Sequence, residues 1–325
     1  RAVSAARIRS RFDSAATTDN TRRHWANADS LSADAAASVA VRQTLRNRAR
    51  YEVANNSYAK GIVLTLANDT VGTGPRLQML TPDPEANRRI EREFELWARR
   101  ISLAEKLRTM RIARAQDGEA FGFLATNPGI DHPIQLDLRL LEADQVTNPR
   151  HTLLSDQDID GIRLDRHGNP TSYLVLKEHP GSISWHSPTD YVTIPAASMV
   201  HLFRQERPGQ HRGIPEITPA LPLFAQLRRF TLAVLSAAEA AADFAGILYT
   251  DAPANGEADA VEPMDFIELE RNMLLTMPGG WKMGQVDPKQ PSTTYGEFKK
   301  EILNEIARCL NMPFNIAAGN SSGYN

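Results

Sequence analysis

The stretch PALPLFAQLRRFTLAVLSAAEAAADFAG, residues 219–246, decides how the rest of the chain is read. Within it Leu223, Leu227, Phe230, Val234, Ala237, Ala241 and Phe244 recur by alternating steps of four and three, the spacing of a heptad-like seam along one helix. Ala233, Ala238, Ala240, Ala242 and Ala245 flank the seam, and such small side chains let neighbouring helices approach closely. Periodicity alone fits two arrangements equally: a helix buried inside one globular core, or a helix packed side by side with copies of itself. A second helix is expected from about 295 to 310, with Phe298, Ile302, Ile306 and Cys309 on one face and Pro313 ending it. The interval between the two helices reads as a small strand-rich insert. Its strand-prone pieces are 247–249, 273–277 and 281–286, with the turn Pro278-Gly279-Gly280 before the last.

Towards the amino end, residues 1–35 are rich in Ala, Ser, Thr, Asp and Arg without periodicity, which predicts an extended arm with Trp25 as its one anchor. From 36 to 68 the apolar positions Val41, Leu45, Val53, Tyr58, Ile62 and Leu66 follow helical intervals, and Asn55-Asn56 marks a break between two helices. Val71-Gly72-Thr73-Gly74-Pro75 stops the second. A third helix is expected to run unbroken from Pro84 through Ile90, Phe94, Trp97, Ile101, Leu107 and Ile112 to Asp117-Gly118. Strand signals then dominate at 120–125, 134–141, 161–164, 173–176 and 199–203, separated by Asn-Pro, Pro-Gly and Gly-Asn-Pro turns. The fold class is therefore α+β, with an antiparallel β region packed on the preceding helices.

Composition sets wide bounds. With 325 residues, 42% hydrophobic and 23% charged, the chain can bury a core of two or three units and matches soluble globular proteins. The longest apolar stretch, 230–247, is interrupted by Ser236, Glu239 and Asp243, so no spanning helix and no membrane partner are expected. Residues 1–16 lack the apolar core of an export signal. Net charge is −2, unevenly spread: residues 1–50 hold ten arginines and four aspartates, whereas 251–270 hold seven acidic residues and no basic one. The basic end reads as a polyanion- or partner-binding arm, or as a solvated segment. The one cysteine, Cys309, lies among Ile306, Leu310 and Met312 and reads as a small buried hydrophobe.

Motifs that would carry chemistry are weak. Asp156-x-Asp158-x-Asp160-Gly161 matches the opening of a calcium loop, but the twelfth position is His167 rather than a bidentate Glu, and an acidic surface turn is the expectation. His179, His186, His201 and His211 have no metal-binding spacing and read as scattered structural or surface histidines. No phosphate-binding Gly-x-x-x-x-Gly-Lys loop and no Gly-x-Ser-x-Gly elbow occur, and Gly72-x-Gly74-Pro75 lacks the third glycine of a dinucleotide fingerprint. No cofactor, no metal and no catalytic residue are expected.

Four ordered runs resemble one family, the lambda-type phage portal proteins. They are LRNRARYEVANNSYAK at 45–60 followed by NDTVGTG at 68–74; LEADQVTNP at 141–149; HLF at 201–203 leading to PGQHRGIP at 208–215; and ILNEIARCLNMPF at 302–314. The resemblance covers roughly residues 40–325. It implies an extended arm over 1–35, a wing domain over 36–218, a first stem helix over 219–246, a clip over 247–291, a second stem helix over 292–312, and the start of a tunnel loop over 313–325. It also implies that the family's fold continues into a further wing helix and a crown after the point where this sequence stops.

As a member of that family the chain would be a structural protein and not an enzyme. It would assemble with itself into a ring of twelve subunits at one capsid vertex of the virion, after assembly in the host cytoplasm. Its implied partners are the packaging terminase, a head-completion or adaptor protein, the major capsid protein, and double-stranded DNA passing without sequence specificity. Stem packing would use Leu223, Leu227, Phe230, Val234, Phe244, Phe298, Ile302 and Ile306. Asn320, Ser321, Ser322 and Tyr324 would face DNA, and Glu257, Asp259, Glu262 and Asp265 would meet partners at the clip. A channel that lets DNA slide must not grip it, which fits Lys299, Lys300 and Arg308 being offset by Glu297, Glu301 and Glu305. Two readings compete: a phage nuclease or maturation protease using Asp156, Asp158 and Asp160 as metal carboxylates, and a non-ring minor capsid or scaffold protein.

Overall fold

A computed structural model describes residues 18–19, 22–148, 158–182, 190–243, 247–250, 281–284 and 292–320. A short helix α1 (Ala33–Ala36) starts at Ser32, whose hydroxyl accepts from the Ala35 N–H. The arm thus ends in helix rather than staying extended to 35, and Trp25 is exposed, with the His24 ring edge-on to it. Helices α2 (Val39–Asn55) and α3 (Ser57–Val71) divide where Asn55-Asn56 predicts. Asn56 is extended, and its side chain accepts from the Tyr58 and Ala59 N–H groups, so one residue ends α2 and caps α3. Gly72, at φ 54, terminates α3.

The expected third helix is two. Helix α4 (Pro84–Arg100) begins under the Asp83 cap, and α5 (Leu103–Asp117) follows after Ser102 turns left-handed at φ 53. The turn lets Ile101 and Leu103 both enter the core beside Met110 and Leu138. Strands β1 (Glu119–Thr126), β2 (Leu136–Leu141) and β7 (Met199–Phe203) form an antiparallel sheet with β1 central. A second antiparallel sheet runs in the order β3 (Asp158–Ile159), β4 (Ile162–Leu164), β5 (Pro170–Leu176), β6 (Tyr191–Pro195). Phe121, Val146, Ile162, Tyr173, Val175 and Ile194 fill the space shared by these strands. The mixed helical and antiparallel-β architecture agrees with the α+β expectation.

After a 3-10 turn at Thr218–Ala220 comes α6 (Leu221–Asp243), the ribbon of β8 (Ile247–Thr250) with β9 (Trp281–Gly284), α7 (Ser292–Cys309) and the short α8 (Phe314–Ala318). The expected strand at 273–277 and the turn at 278–280 lie outside the described residues. No described helix is long and apolar enough to cross a membrane.

Candidate functional site

The base of the α6–α7 pair is sealed in one apolar cluster. Leu221, Phe224 and Leu227 from α6 meet Ile302, Leu303, Ile306 and Ala307 from α7, together with Val53, Ile62, Val63 and Ala317. Farther along, the Phe230 ring stacks on Tyr295 with centroids 5.8 Å apart and packs on Phe298 at 4.2 Å. The Thr231 and Tyr295 hydroxyls lie 3.2 Å apart. Contact thus passes from 302–307 back to 295 as α6 advances from 221 to 231, so the helices are antiparallel.

Beyond Thr231, α6 leaves the protein body. Leu232 and Leu235 are 55% and 54% exposed, and Ala233, Ser236, Ala237 and Ala238 are exposed as well. Of the residues expected to pack the stem, Leu227, Ile302 and Ile306 are buried, Leu223, Phe230 and Val234 are half-buried, and Phe298 is 42% exposed despite its ring contact. The heptad seam runs along the edge of the intramolecular contact. Its centre is the three-step stripe Leu221, Phe224, Leu227, and the fully buried Phe224 was not in the expected set. Phe244, Ser321, Ser322, Tyr324, Glu257, Asp259, Glu262 and Asp265 lie outside the described residues. Asn320 is exposed, its N–H donating to the Asn315 carbonyl after Gly319 closes α8 at φ 62.

Of the ten arginines in residues 1–50, Arg22, Arg23 and Arg48 are exposed and Arg1, Arg7, Arg9 and Arg11 lie outside the described residues, but Arg42, Arg46 and Arg50 on α2 are paired within the fold rather than solvated or free for a polyanion. Arg42 and Arg46 are buried, and with Arg212 they bind the carboxylates of Glu119, Asp144 and Asp160. Arg212, 1% exposed, forks onto Glu119 through Nε at 2.9 Å and Nη2 at 2.6 Å, and its Nη1 donates to the Val146 carbonyl at 3.0 Å. Arg46 reaches Asp144 at 2.5 Å and Glu119 at 3.2 Å, while Arg50 holds Asp117 at 2.7 Å and Asp144 at 2.9 Å. Burial works to raise the Glu119 carboxyl, but the Arg212 charge and hydrogen bonds from His201 and Arg212 overcome it and hold the group well below the usual carboxylate range. Asp160 and Asp144 are likewise low: burial is outweighed by Arg212 and Arg42 in the first and by Arg46 and Arg50 in the second. Burial also brings Arg42 down to about 10, with Arg212 adding to it.

Two glycines bring the backbones close enough for this hub. A Cβ on Gly213 would stand 2.1 Å from the Gly118 carbonyl oxygen, and one on Gly118, at φ 91, 2.4 Å from the Ile214 carbonyl carbon. The Gly213 N–H then donates to Glu119 at 3.0 Å. Directly after, Glu216 takes Arg111 and Arg114 at 2.9 and 2.8 Å, so the segment that enters α6 is pinned by charge on both sides. Three of the runs that carry the family resemblance, at 45–60, 141–149 and 208–215, converge on this hub, and the fourth closes α7 and leads into α8.

Asp160 and Gly161, at φ 37 and 86, form the tight turn of the β3–β4 hairpin, and Asp160 is taken up by Arg42 and Arg212. Asp158 is buried beside Arg163, and Asp156 lies outside the described residues. Neither Asp158 nor Asp160 is an exposed turn carboxylate, and neither is free for a metal. His201 is structural, held between the rings of Phe121 at 4.2 Å and Phe203 at 4.4 Å with Nε2 3.1 Å from Glu119. His211 pairs with Asp34 at 2.8 Å, and His186 lies outside the described residues. Among the described residues, Glu142, Asp144 and His179 cluster as metal ligands would, but Arg46 and Arg50 on Asp144 oppose a cation there. Cys309 is half-buried, donates to the Glu216 carbonyl at 3.4 Å and has its thiol pushed up by burial.

A curated protein described as a probable portal protein, from Halomonas phage phiHAP-1, is 26% identical over 306 residues. The matched region takes in 86% of this chain and 58% of that relative, so the chain spans little more than half of the relative's length. Among solved structures, a chain from the virion of a native gene transfer agent particle aligns with a TM-score of 0.49 at 16% identity, covering 85% of this chain and 69% of that one. A chain from the neck of an empty particle of the same kind, computed with C6 symmetry, aligns with a TM-score of 0.49 at 15% identity, covering 83% and 69%. The family described as phage portal protein, lambda family, matches residues 19–325, which takes in the arginine-rich helix, the ionic hub and both helices of the projecting pair; the chain belongs to that family.

Proposed function

We propose that this chain is the subunit of a ring-shaped channel through which DNA enters and leaves a phage head at one capsid vertex. The observation that carries the reading is the projecting α6–α7 pair, packed into the body at one end, bracketing a β-ribbon and leaving Leu232 and Leu235 bare. Apolar residues on a protruding helix are the mark of an intermolecular contact, and a contact that repeats by rotation closes into a ring. The family resemblance supports twelve subunits. It also supports the clip, with Glu257, Asp259, Glu262 and Asp265, as the docking end for terminase and a head-completion protein, and the wing as the part that meets the major capsid protein. Asn320, Ser321, Ser322 and Tyr324 are proposed to face the DNA. The chain acts without cofactor or catalysis, in the virion and, during assembly, in the host cytoplasm. Nuclease or protease chemistry at the acidic triplet is disfavoured because Asp160 already neutralises two buried arginines.

Negative-stain imaging with mass photometry of the full-length chain tests the reading. Annular particles with a central hole are expected; monomers persisting at high concentration would overturn it.

A further inference from the structure

The outward sides of α6 and α7 carry opposite charge. On α6, Arg228, Leu232, Leu235 and Glu239 follow steps of four, three and four, a single exposed stripe, with Arg229 beside its start. On α7, Glu297, Glu301 and Glu305 step by four along the side facing away from Ile302, Leu303 and Ile306. Among the described residues none of Arg228, Arg229, Glu297, Glu301 or Glu305 has an ion-pair or hydrogen-bond partner. The cations of α7 are otherwise engaged: Lys299 lies over Tyr58 at 5.2 Å, Lys300 over Phe314 at 5.8 Å, and Arg308 donates to Asn311.

Height along the pair matters as much as sign. Phe230 is level with Tyr295 and Phe298, so Arg228 and Arg229 stand within about one turn, roughly 5 Å, of Glu297 and Glu301. Within one chain these groups do not meet, because each faces outward from its own helix. Rotation about an axis along the pair preserves height, so the α6 side of one copy can face the α7 side of the next at the same level. Glu239, about three turns farther along α6, lies beyond these pairs.

We infer that the ring closes through a head-to-tail contact in which the 228–235 stripe of α6 packs on the outer face of α7 of a second copy, Arg228 and Arg229 pairing with that copy's Glu297 and Glu301. This rests on the ring reading above. Leu232 and Leu235 supply the apolar part of the contact and the charges set its register and handedness.

Two variants of the full-length chain test it, Arg228→Glu with Arg229→Glu, and Glu297→Arg with Glu301→Arg. Each alone is expected to lower the fraction of chain in rings at low salt by on the order of tenfold, with monomer melting unchanged. Mixed one to one they should recover, because alternating copies place a reversed α6 against a reversed α7 at every second junction and a native α6 against a native α7 at the others. If the unaltered chain forms no rings, the ring reading falls and this contact with it. If it forms rings and both variants do too, only the contact is wrong. If both variants lose rings and the mixture does not recover, the charges act within one subunit and the contact is again wrong.

Discussion

Replacing Arg212 with methionine keeps much of its volume and removes the charge at the centre of the hub. Glu119 loses two of its donors and keeps Arg46, His201 and the Gly213 N–H, while the Val146 carbonyl loses its guanidinium donor. Removing one partner of a buried ion pair costs about 3–5 kcal/mol, and an orphaned carbonyl adds about 1 kcal/mol. The Glu119 groups that remain place the loss at about 4 kcal/mol, a large share of the roughly 5–15 kcal/mol that holds a domain folded. In urea, with a slope of about 2–3 kcal/mol/M, the midpoint should fall by about 1.5 M. Glu119→Gln made in the Arg212→Met background should cost about 2 kcal/mol less than in the native chain, because the carboxylate is then already short of its counter-charge. A midpoint shift under about 0.3 M, or strict additivity of the two changes, would refute the reasoning.

Burial holds the His201 ring below its ordinary value of 6.5, so on acidification the unfolded chain takes up that proton first. Its contribution is complete above pH 6.5 and shrinks below it, whereas Glu119, Asp144 and Asp160, all held low, add a further loss only under about pH 4. The urea midpoint should therefore decline between pH 7.5 and 5.5 in the native chain and decline less in His201→Gln; equal slopes would remove His201 from the account. Gly118→Ala, which drives a Cβ into the Ile214 backbone from a positive φ, should cost at least about 2 kcal/mol in thermal unfolding. Gly61→Ala, helical and with open space around it, should stabilise by about 0.5–1 kcal/mol.

What the sequence disclosed was local. The four-three spacing after Pro219, the Asn55-Asn56 break and the alternation in 134–141 each act within a few residues, and the structure has α6, the α2–α3 junction and β2 in those places. The run Trp97-Ala98-Arg99-Arg100-Ile101-Ser102-Leu103 has no helix breaker, so the left-handed Ser102 that divides α4 from α5 was invisible; it arises from fitting Ile101 and Leu103 into one core. Strand β6 was missed because Tyr191-Val192-Thr193-Ile194 is short and runs into Pro195. The hub was illegible for a different reason. Arg46 and Asp144 are 98 positions apart and Arg212 and Glu119 are 93, and nothing in an isolated arginine says whether it will be buried or wet. One signal was available: Asp160-Gly161 between Ile159 and Ile162 is a hairpin turn pair, and it pointed to a strand junction rather than a metal loop.

The way the helix pair is mounted has a mechanical result. Both fixed ends, the start of α6 at Glu216–Leu221 and the close of α7 at Cys309, meet at one spot, and the ribbon hangs at the other extremity. The free part of α6, from Leu232 to Asp243, is a cantilever about 18 Å long, so a tilt of only 5° at its root swings the tip by about 1.6 Å. Sideways load applied at the tip is felt as torque on the buried Phe224 and Ile306 and on the Glu216 fork.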